Sequence, residues 1–202
     1  MKTVVINASP RRKWNTAQVM KEAAKGAESA GAEVEYVDLY KLDLHGCMSC
    51  LVCKKADKDR CKCYWKDELS PLIERIFDAD SLLIAAPIFF SHPASHYMAL
   101  LERLIFSLVS YKTGNKFKGK VNVGLFYTIN SPRDYFEKYI RPQLKQSEDL
   151  LGMLNGEVVI ESFSNIPKSL KSDLSEDELN SKEDQLSLDL KRVFEIAADL
   201  SG

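Results

Sequence analysis

The chain predicts an α/β domain: a three-layer sandwich in which a five-stranded parallel sheet lies between two layers of helices. Three observations carry that expectation. Short apolar runs of strand length alternate with stretches whose apolar residues recur at helical spacing, the pattern of parallel strands joined by right-handed helical crossovers. The run from Asp80 to Pro87, Ser-Leu-Leu-Ile-Ala-Ala, is apolar without alternation, as in a central strand covered on both faces. The 202 residues hold no internal repeat, low-complexity linker or composition shift, so they read as one domain, 1–202.

Thr3-Val4-Val5-Ile6 is the first strand. The loop Asn7 to Thr16, N-A-S-P-R-R-K-W-N-T, leads from it into a helix whose Thr16, Val19, Met20, Ala23 and Ala27 share one face. Glu33 to Leu39 alternates and reads as a second strand near an edge. Residues 40–66 show no sustained period and hold every cysteine, so they form a functional excursion from the domain. Asp67 to Phe77 returns to helical spacing, with Pro71 confined to the first turn. After the third strand, Pro87-Ile-Phe-Phe-Ser-His-Pro93 reads as an aromatic-rich loop, and Ala94 to Tyr111 as a helix. Val121 to Tyr127 is the fourth strand, followed by a polar stretch, Thr128 to Arg133. The helix from Asp134 must break or kink at Pro142, and Glu157 to Phe163 is the fifth strand. Pro167 to Glu183 is polar and reads as mobile, with a helix-start pattern, Ser175-x-x-Glu178, inside it. A C-terminal helix over about 184–201 presents Leu186, Leu190, Val193, Phe194, Ala197 and Leu200 to the body.

Charge and hydropathy narrow the function. Lys+Arg 28 against Asp+Glu 29 leaves a net charge of -1, so there is no electrostatic case for nucleic acid or an anionic membrane. The first apolar stretch is too short for a signal peptide and no run is long enough to span a bilayer, which points to a cytoplasmic address.

Ligands of an open parallel sheet sit outside the carboxyl ends of its strands, where strand order reverses. Three of the loops lie there: Ala8 to Thr16, Ile88 to Pro93 and Thr128 to Arg133. Together they describe one pocket. At one end, a helix N-terminus with Ser9, Asn15, Thr16 and Arg11 or Arg12 suits a phosphate; an ordinary helix start capped by Asn15 or Thr16 is the alternative. Beside it, Phe89 and Phe90 can stack on a planar ring, or else pack in the core or against a second subunit. Burying one ring face of order 150 Å² at about 25 cal/mol per Å² is worth about 4 kcal/mol.

The five cysteines follow a compact spacing: Cys47-x-x-Cys50-x-x-Cys53, then Cys61 and Cys63. An odd number in a reducing compartment argues for metal or redox use over structural disulfides. Three closely spaced thiols plus one more, with Cys61 the extra that could complete the site, suit a 4Fe–4S cluster; zinc could use four of the same thiols, and free redox-labile thiols are the third reading. His45 flanks this loop, while His92 and His96 are four apart at a helix start with no third ligand in view, which favours roles at the pocket rim.

Ala8-Ser-Pro-Arg-Arg-Lys-Trp-Asn-Thr16 resembles the G-S-P-R-x-x-x-N-T loop of the flavodoxin-like NAD(P)H-dependent FMN reductases. Pro87-Ile-Phe-Phe with Leu101-Glu102-Arg103 resembles that family's P-x-Y-[FW] segment and its later acidic-Arg pair. Gly46-Cys47, Cys50, Cys53 and Cys63-Tyr-Trp-Lys-Asp67-Glu-Leu69 resemble its cysteine-bearing branch, which includes the iron–sulfur flavoproteins. The resemblance runs from Thr3 to about Phe163. It implies a sheet of order 2-1-3-4-5 and an FMN site made of Ser9, Pro10, Arg11, Asn15 and Thr16 at the phosphate, with Pro87, Ile88, Phe89, Phe90, Ser91, Thr128, Asn130 and Ser131 around the ring system. It implies hydride transfer from NAD(P)H to the flavin and electron delivery to a second acceptor: a quinone, a flavin, another small oxidant or a protein. No side chain is then catalytic, since the flavin carries the chemistry. A homodimer or homotetramer is implied as well. An FMN electron carrier without pyridine-nucleotide activity is the alternative. Ala8 and Trp14 stand where the family has glycines, Phe89 where it has Tyr, Met98 where it often has Lys, and Glu102 where it has Asp. The two lost glycines reduce the loop's freedom at positive φ, and the Trp14 ring is able instead to cover the cofactor or a partner surface.

Overall fold

A computed structural model of the chain describes residues 1–55, 61–164 and 175–202, apart from the side chains of 176 and 178–182. Five parallel strands form the main sheet: β1 (Lys2–Asn7), β2 (Glu33–Asp38), β3 (Ser81–Phe89), β4 (Val121–Ile129) and β5 (Asn155–Ser164). Their order is β2-β1-β3-β4-β5, the doubly wound order expected from the resemblance. The switch point falls between β1 and β3, which pair in parallel from Thr3↔Ser81 to Asn7↔Ala85.

Each face of the sheet is apolar because it carries its own layer of helices. On one face, Val5, Leu83, Ala85, Phe126 and Phe163 pack under α1 (Asn15–Ser29) and α5 (Glu176–Ser201). The buried Val19, Met20, Ala23 and Ala27 of α1 are the apolar face read from the sequence. Gly26 allows α1 and α5 to touch: a Cβ there would lie 2.3 Å from the Phe194 carbonyl oxygen. On the other face, Val4, Ile6, Leu82, Ile84, Leu125 and Tyr127 meet α2 (Leu69–Phe77), α3 (Ser95–Leu108) and α4 (Arg141–Asp149). Among the described residues no helix is long and apolar enough to cross a membrane.

The structure revises several local expectations. Pro87 to Pro93 is a hairpin and not a loop: β3 continues to Phe89, and His92–Pro93 folds back antiparallel on Ile88 and Phe89. Phe90 and Ser91 make the turn at φ 48° and 67°, the geometry of a two-residue hairpin turn. Helix α3 stops at Leu108, three residues before Tyr111, because Val109–Ser110 pairs with Gly114–Asn115. The Lys54 ammonium sits at that helix end and donates to the Phe106 and Val109 carbonyls. Pro142 does not break its helix. It lies at the second position of α4, and the turn before it, Phe136–Ile140, widens to π geometry to accommodate the missing N–H and the bulk of the ring. The last helix begins at Glu176. The polar stretch read as mobile, Pro167 to Glu183, lies outside the described residues as far as 174, as does the Glu178 side chain of its helix-start pattern.

Candidate functional site

The carboxyl ends of β1, β3 and β4 open into one cleft of about 240 Å³. Ser9, Arg11, Trp14, Asn15 and Thr16 line it from the first loop, Pro87, Ile88 and Phe89 from β3, and Thr128, Ile129 and Asn130 from β4. Nine of the residues singled out in the sequence therefore face one space. Pro10, Phe90, Ser91 and Ser131 do not line it. Pro10 is exposed, Phe90 stands 99% exposed at the hairpin tip, and the Ser131 carbonyl is taken by the Ser164 hydroxyl at 2.8 Å. Full exposure also removes core packing as an explanation for Phe90. Trp14 and Ile129 are additions. Trp14 stood out in the loop as a side chain able to cover a cofactor or a partner surface, whereas Ile129 carried no signal, since an apolar residue ending a strand reads as core.

Short local bonds shape the first loop. Ala8 N–H donates to the Ala85 carbonyl (2.9 Å), Ser9 N–H to Asn7 Oδ1 (3.2 Å) and Arg11 N–H to Ser9 Oγ (3.1 Å). Asn7 is held in turn by its amide, which donates to Asp38 Oδ1 at 3.0 Å. No residue from Ala8 to Trp14 needs a positive φ, so the absent glycines cost the loop nothing. The residue before α1 is Trp14, in extended geometry and without a side-chain capping bond, so the helix starts at Asn15 and not after it. The first turn of the helix thus meets the cleft with no capping bond from Trp14 to its backbone N–H groups. Thr16 and Thr128 share a 2.8 Å hydrogen bond that ties helix to strand across the site.

This donor set suits the phosphate of FMN: two hydroxyls, an amide, a guanidinium and the positive end of a helix, with no carboxylate lining the space among the described residues. Pro87, Ile88 and the half-exposed ring of Phe89 give an apolar wall for a flat ring system.

A second site lies on the outer side of α3. Cys47, Cys50, Cys53 and Cys63 line a small cavity of about 20 Å³ with Trp65, Arg103 and Phe106, whereas Cys61 packs against the core off this lining. Ser49 and Leu51, at φ 51° and 57°, turn the backbone twice between the first three cysteines. That strain is held by α3. Glu102 Oε2 accepts from Cys47 N–H at 3.1 Å, an approach that a Cβ on Gly46 would obstruct at 2.9 Å. Arg103, nearly fully buried, donates to the His45 carbonyl (3.0 Å), Ser70 Oγ (2.7 Å), Cys63 Sγ (3.3 Å) and both oxygens of Asp67. Asp67 also accepts from the N–H groups of Leu69 and Ser70, capping α2. Burial pushes the Asp67 carboxyl up, but the Arg103 guanidinium and these N–H donors outweigh it and hold the carboxyl below its usual range. Burial pushes the Cys53 and Cys61 thiols up, against the pull of the Lys54 and Lys116 ammoniums.

The thiols suit a soft metal in kind, but as placed they do not converge. Among the described residues no three His, Cys, Asp or Glu side chains come together as a metal site. The histidines stay outside both sites: His96 stacks on Tyr40 at 3.7 Å, exposed His92 pairs with Phe89 across the hairpin, and His45 bonds through its backbone.

Comparison with known proteins bears on the family and the fold. An iron–sulfur flavoprotein of Methanocaldococcus jannaschii is 27% identical over 124 residues, 61% of this chain and 62% of that protein's length. In fold, the chain is similar to an NAD(P)H:quinone oxidoreductase from Methanothermobacter marburgensis, with a TM-score of 0.75 and 16% identity over 100% of this chain and 98% of that one. An archaeal flavodoxin gives 0.53 at 10% identity, over 100% and 96% of the two chains. A profile of the NADPH-dependent FMN reductases matches residues 1–153, which hold the cleft and the thiol cavity together, and the chain belongs to that family.

Proposed function

We propose that the chain is an FMN-dependent oxidoreductase that takes hydride from NAD(P)H and passes electrons to a second acceptor: a quinone, a flavin or another small oxidant. The observation that carries this is the single cleft at the β1–β3 switch point, in which a helix start that Trp14 does not cap and an apolar wall face each other. Bound FMN supplies the redox chemistry there. The chain's own residues bind and orient. Ser9, Arg11, Asn15, Thr16 and the first turn of α1 hold the phosphate. Pro87, Ile88 and Phe89 flank the ring system, with Thr128, Ile129 and Asn130 closing the opposite side. Among the described residues no lining side chain is placed to act as acid or base. The cytoplasm and a homodimer or homotetramer are the setting this reading takes, in keeping with the family.

We read the thiol cavity as a candidate 4Fe–4S site, on the spacing of Cys47, Cys50 and Cys53, the fourth thiol of Cys63 on the same cavity, and the iron–sulfur name of the relative. The lack of convergence favours a second reading, free thiols, so no electron path is routed through a cluster. Anaerobic purification tests both sites together. A flavin spectrum with about four iron and four acid-labile sulfide per chain supports FMN and cluster. Flavin with neither iron nor sulfide supports FMN with free thiols. A protein that stays colourless after FMN is added overturns the flavin reading.

A further inference from the structure

Trp14 occupies a position where a helix start usually has a short oxygen-bearing side chain. Indole is a donor only, so it has nothing to offer the N–H groups of α1. It does two other things. It lines the cleft, and its ring lies under the Arg11 guanidinium, whose Cζ is 4.8 Å from the ring centre. The backbone sets up this pair: Trp14 N–H donates to the Arg11 carbonyl at 3.1 Å, closing a turn that brings both side chains to the mouth of the cleft. Stacking uses the flat face of a guanidinium and leaves its in-plane N–H edge for an oxyanion. Among the described residues that guanidinium makes no hydrogen bond and no ion pair. A cation held over an aromatic ring, beside a helix start that Trp14 does not cap, is prepared for a ligand carrying two negative charges.

We propose that Trp14 is a positioning residue: it holds Arg11 at the phosphate end of the cleft, so that the site selects a flavin ending in a phosphate monoester over the same ring system without one. The inference rests on the flavin reading above and adds to it the residue that sets phosphate selectivity. Where the family's loop has a glycine at this place, this chain has a side chain that organises its arginine.

The test is fluorescence titration of the flavin-free full-length protein with FMN and, separately, riboflavin. Wild type should prefer FMN. Trp14→Leu should lower the FMN-to-riboflavin affinity ratio about fivefold, by the loss of one exposed cation–π contact. Trp14→Phe, which keeps an aromatic face, should recover most of the ratio. In an Arg11→Gln background, Trp14→Leu should lower the ratio no further. Equal weakening of both ligands by Trp14→Leu, or the same loss of ratio with and without Arg11, would reduce Trp14 to a wall and overturn the proposal. Wild type binding neither flavin would instead overturn the flavin reading and this inference with it.

Discussion

Arg103→Met should destabilise the chain by about 3 kcal/mol. The side chain is 1% exposed and its partner Asp67 5%, so the pair is sealed from water. Removing one member of such a pair commonly costs about 3–5 kcal/mol, because the other is left buried and uncompensated. Asp67 would keep its bonds from the N–H groups of His45, Leu69 and Ser70, which places the estimate at the low end. The His45 carbonyl, Ser70 Oγ and Cys63 Sγ would each lose a donor. With a urea slope of about 2 kcal/mol per M, the unfolding midpoint should fall by about 1.5 M at neutral pH. The same substitution unpins the cysteine excursion from α3, so Cys63 should react faster with an alkylating probe. Adding Asp67→Leu should recover part of the stability, since an apolar pair can replace a buried ionic one. The Asp67 carboxyl titrates below its unfolded value of about 3.9, so its contribution is complete above that pH and is lost as pH falls further. A midpoint shift under 0.5 M, with unchanged Cys63 reactivity, would refute the role given to Arg103.

Two further substitutions probe the fold around the cleft. Replacing Phe90-Ser91 by Asn-Gly supplies residues that accept the positive φ of that turn and should stabilise the chain by about 1–2 kcal/mol, leaving FMN affinity unchanged because Phe90 lies off the cleft; loss of FMN binding would return Phe90 to the site. Glu148 is buried beside the Tyr97 and Tyr127 hydroxyls with neither carboxyl oxygen hydrogen-bonded, its closest cation being Arg141 at 3.7 Å. Burial pushes this carboxyl up, so the stability of its protonated form is complete below the unfolded value of about 4.3 and is lost as pH rises through the folded one. Glu148→Gln should therefore match wild type near pH 4 and melt about 3 °C higher at pH 8; an offset independent of pH would show that ionisation is not what this site resists.

Much of the architecture was legible because periodicity reports burial directly. The unbroken run in β3 required cover on both faces, and α1 and α5 supply it from one side, α2 and α3 from the other. Turn geometry was harder to read. Phe89 and Phe90 are neighbours of the same type, yet one lines the cleft and the other projects into solvent, because the chain reverses at Phe90 in a conformation that aromatic residues rarely adopt. Trp14 posed the opposite problem. It looked like a lost glycine, but the loop takes no positive φ, and the residue's contribution is its contact with Arg11. Long-range partners were harder still. Glu102 and Arg103 stood out as an acidic-Arg pair, but with no partner in view, and only folding shows that they hold a cysteine loop some fifty residues earlier by its backbone and one sulfur. The choice between Cys61 and Cys63 depended likewise on which side of the excursion faces α3.

Anaerobic stopped-flow mixing of the FMN-loaded protein with NADPH, and separately with NADH, tests the central claim most directly. The cleft described here predicts that at least one nucleotide bleaches the visible band of the oxidised flavin, at a rate that saturates with nucleotide concentration. A band that persists with both nucleotides, in protein that has bound FMN, would contradict the reductase and leave an electron carrier built on the same fold.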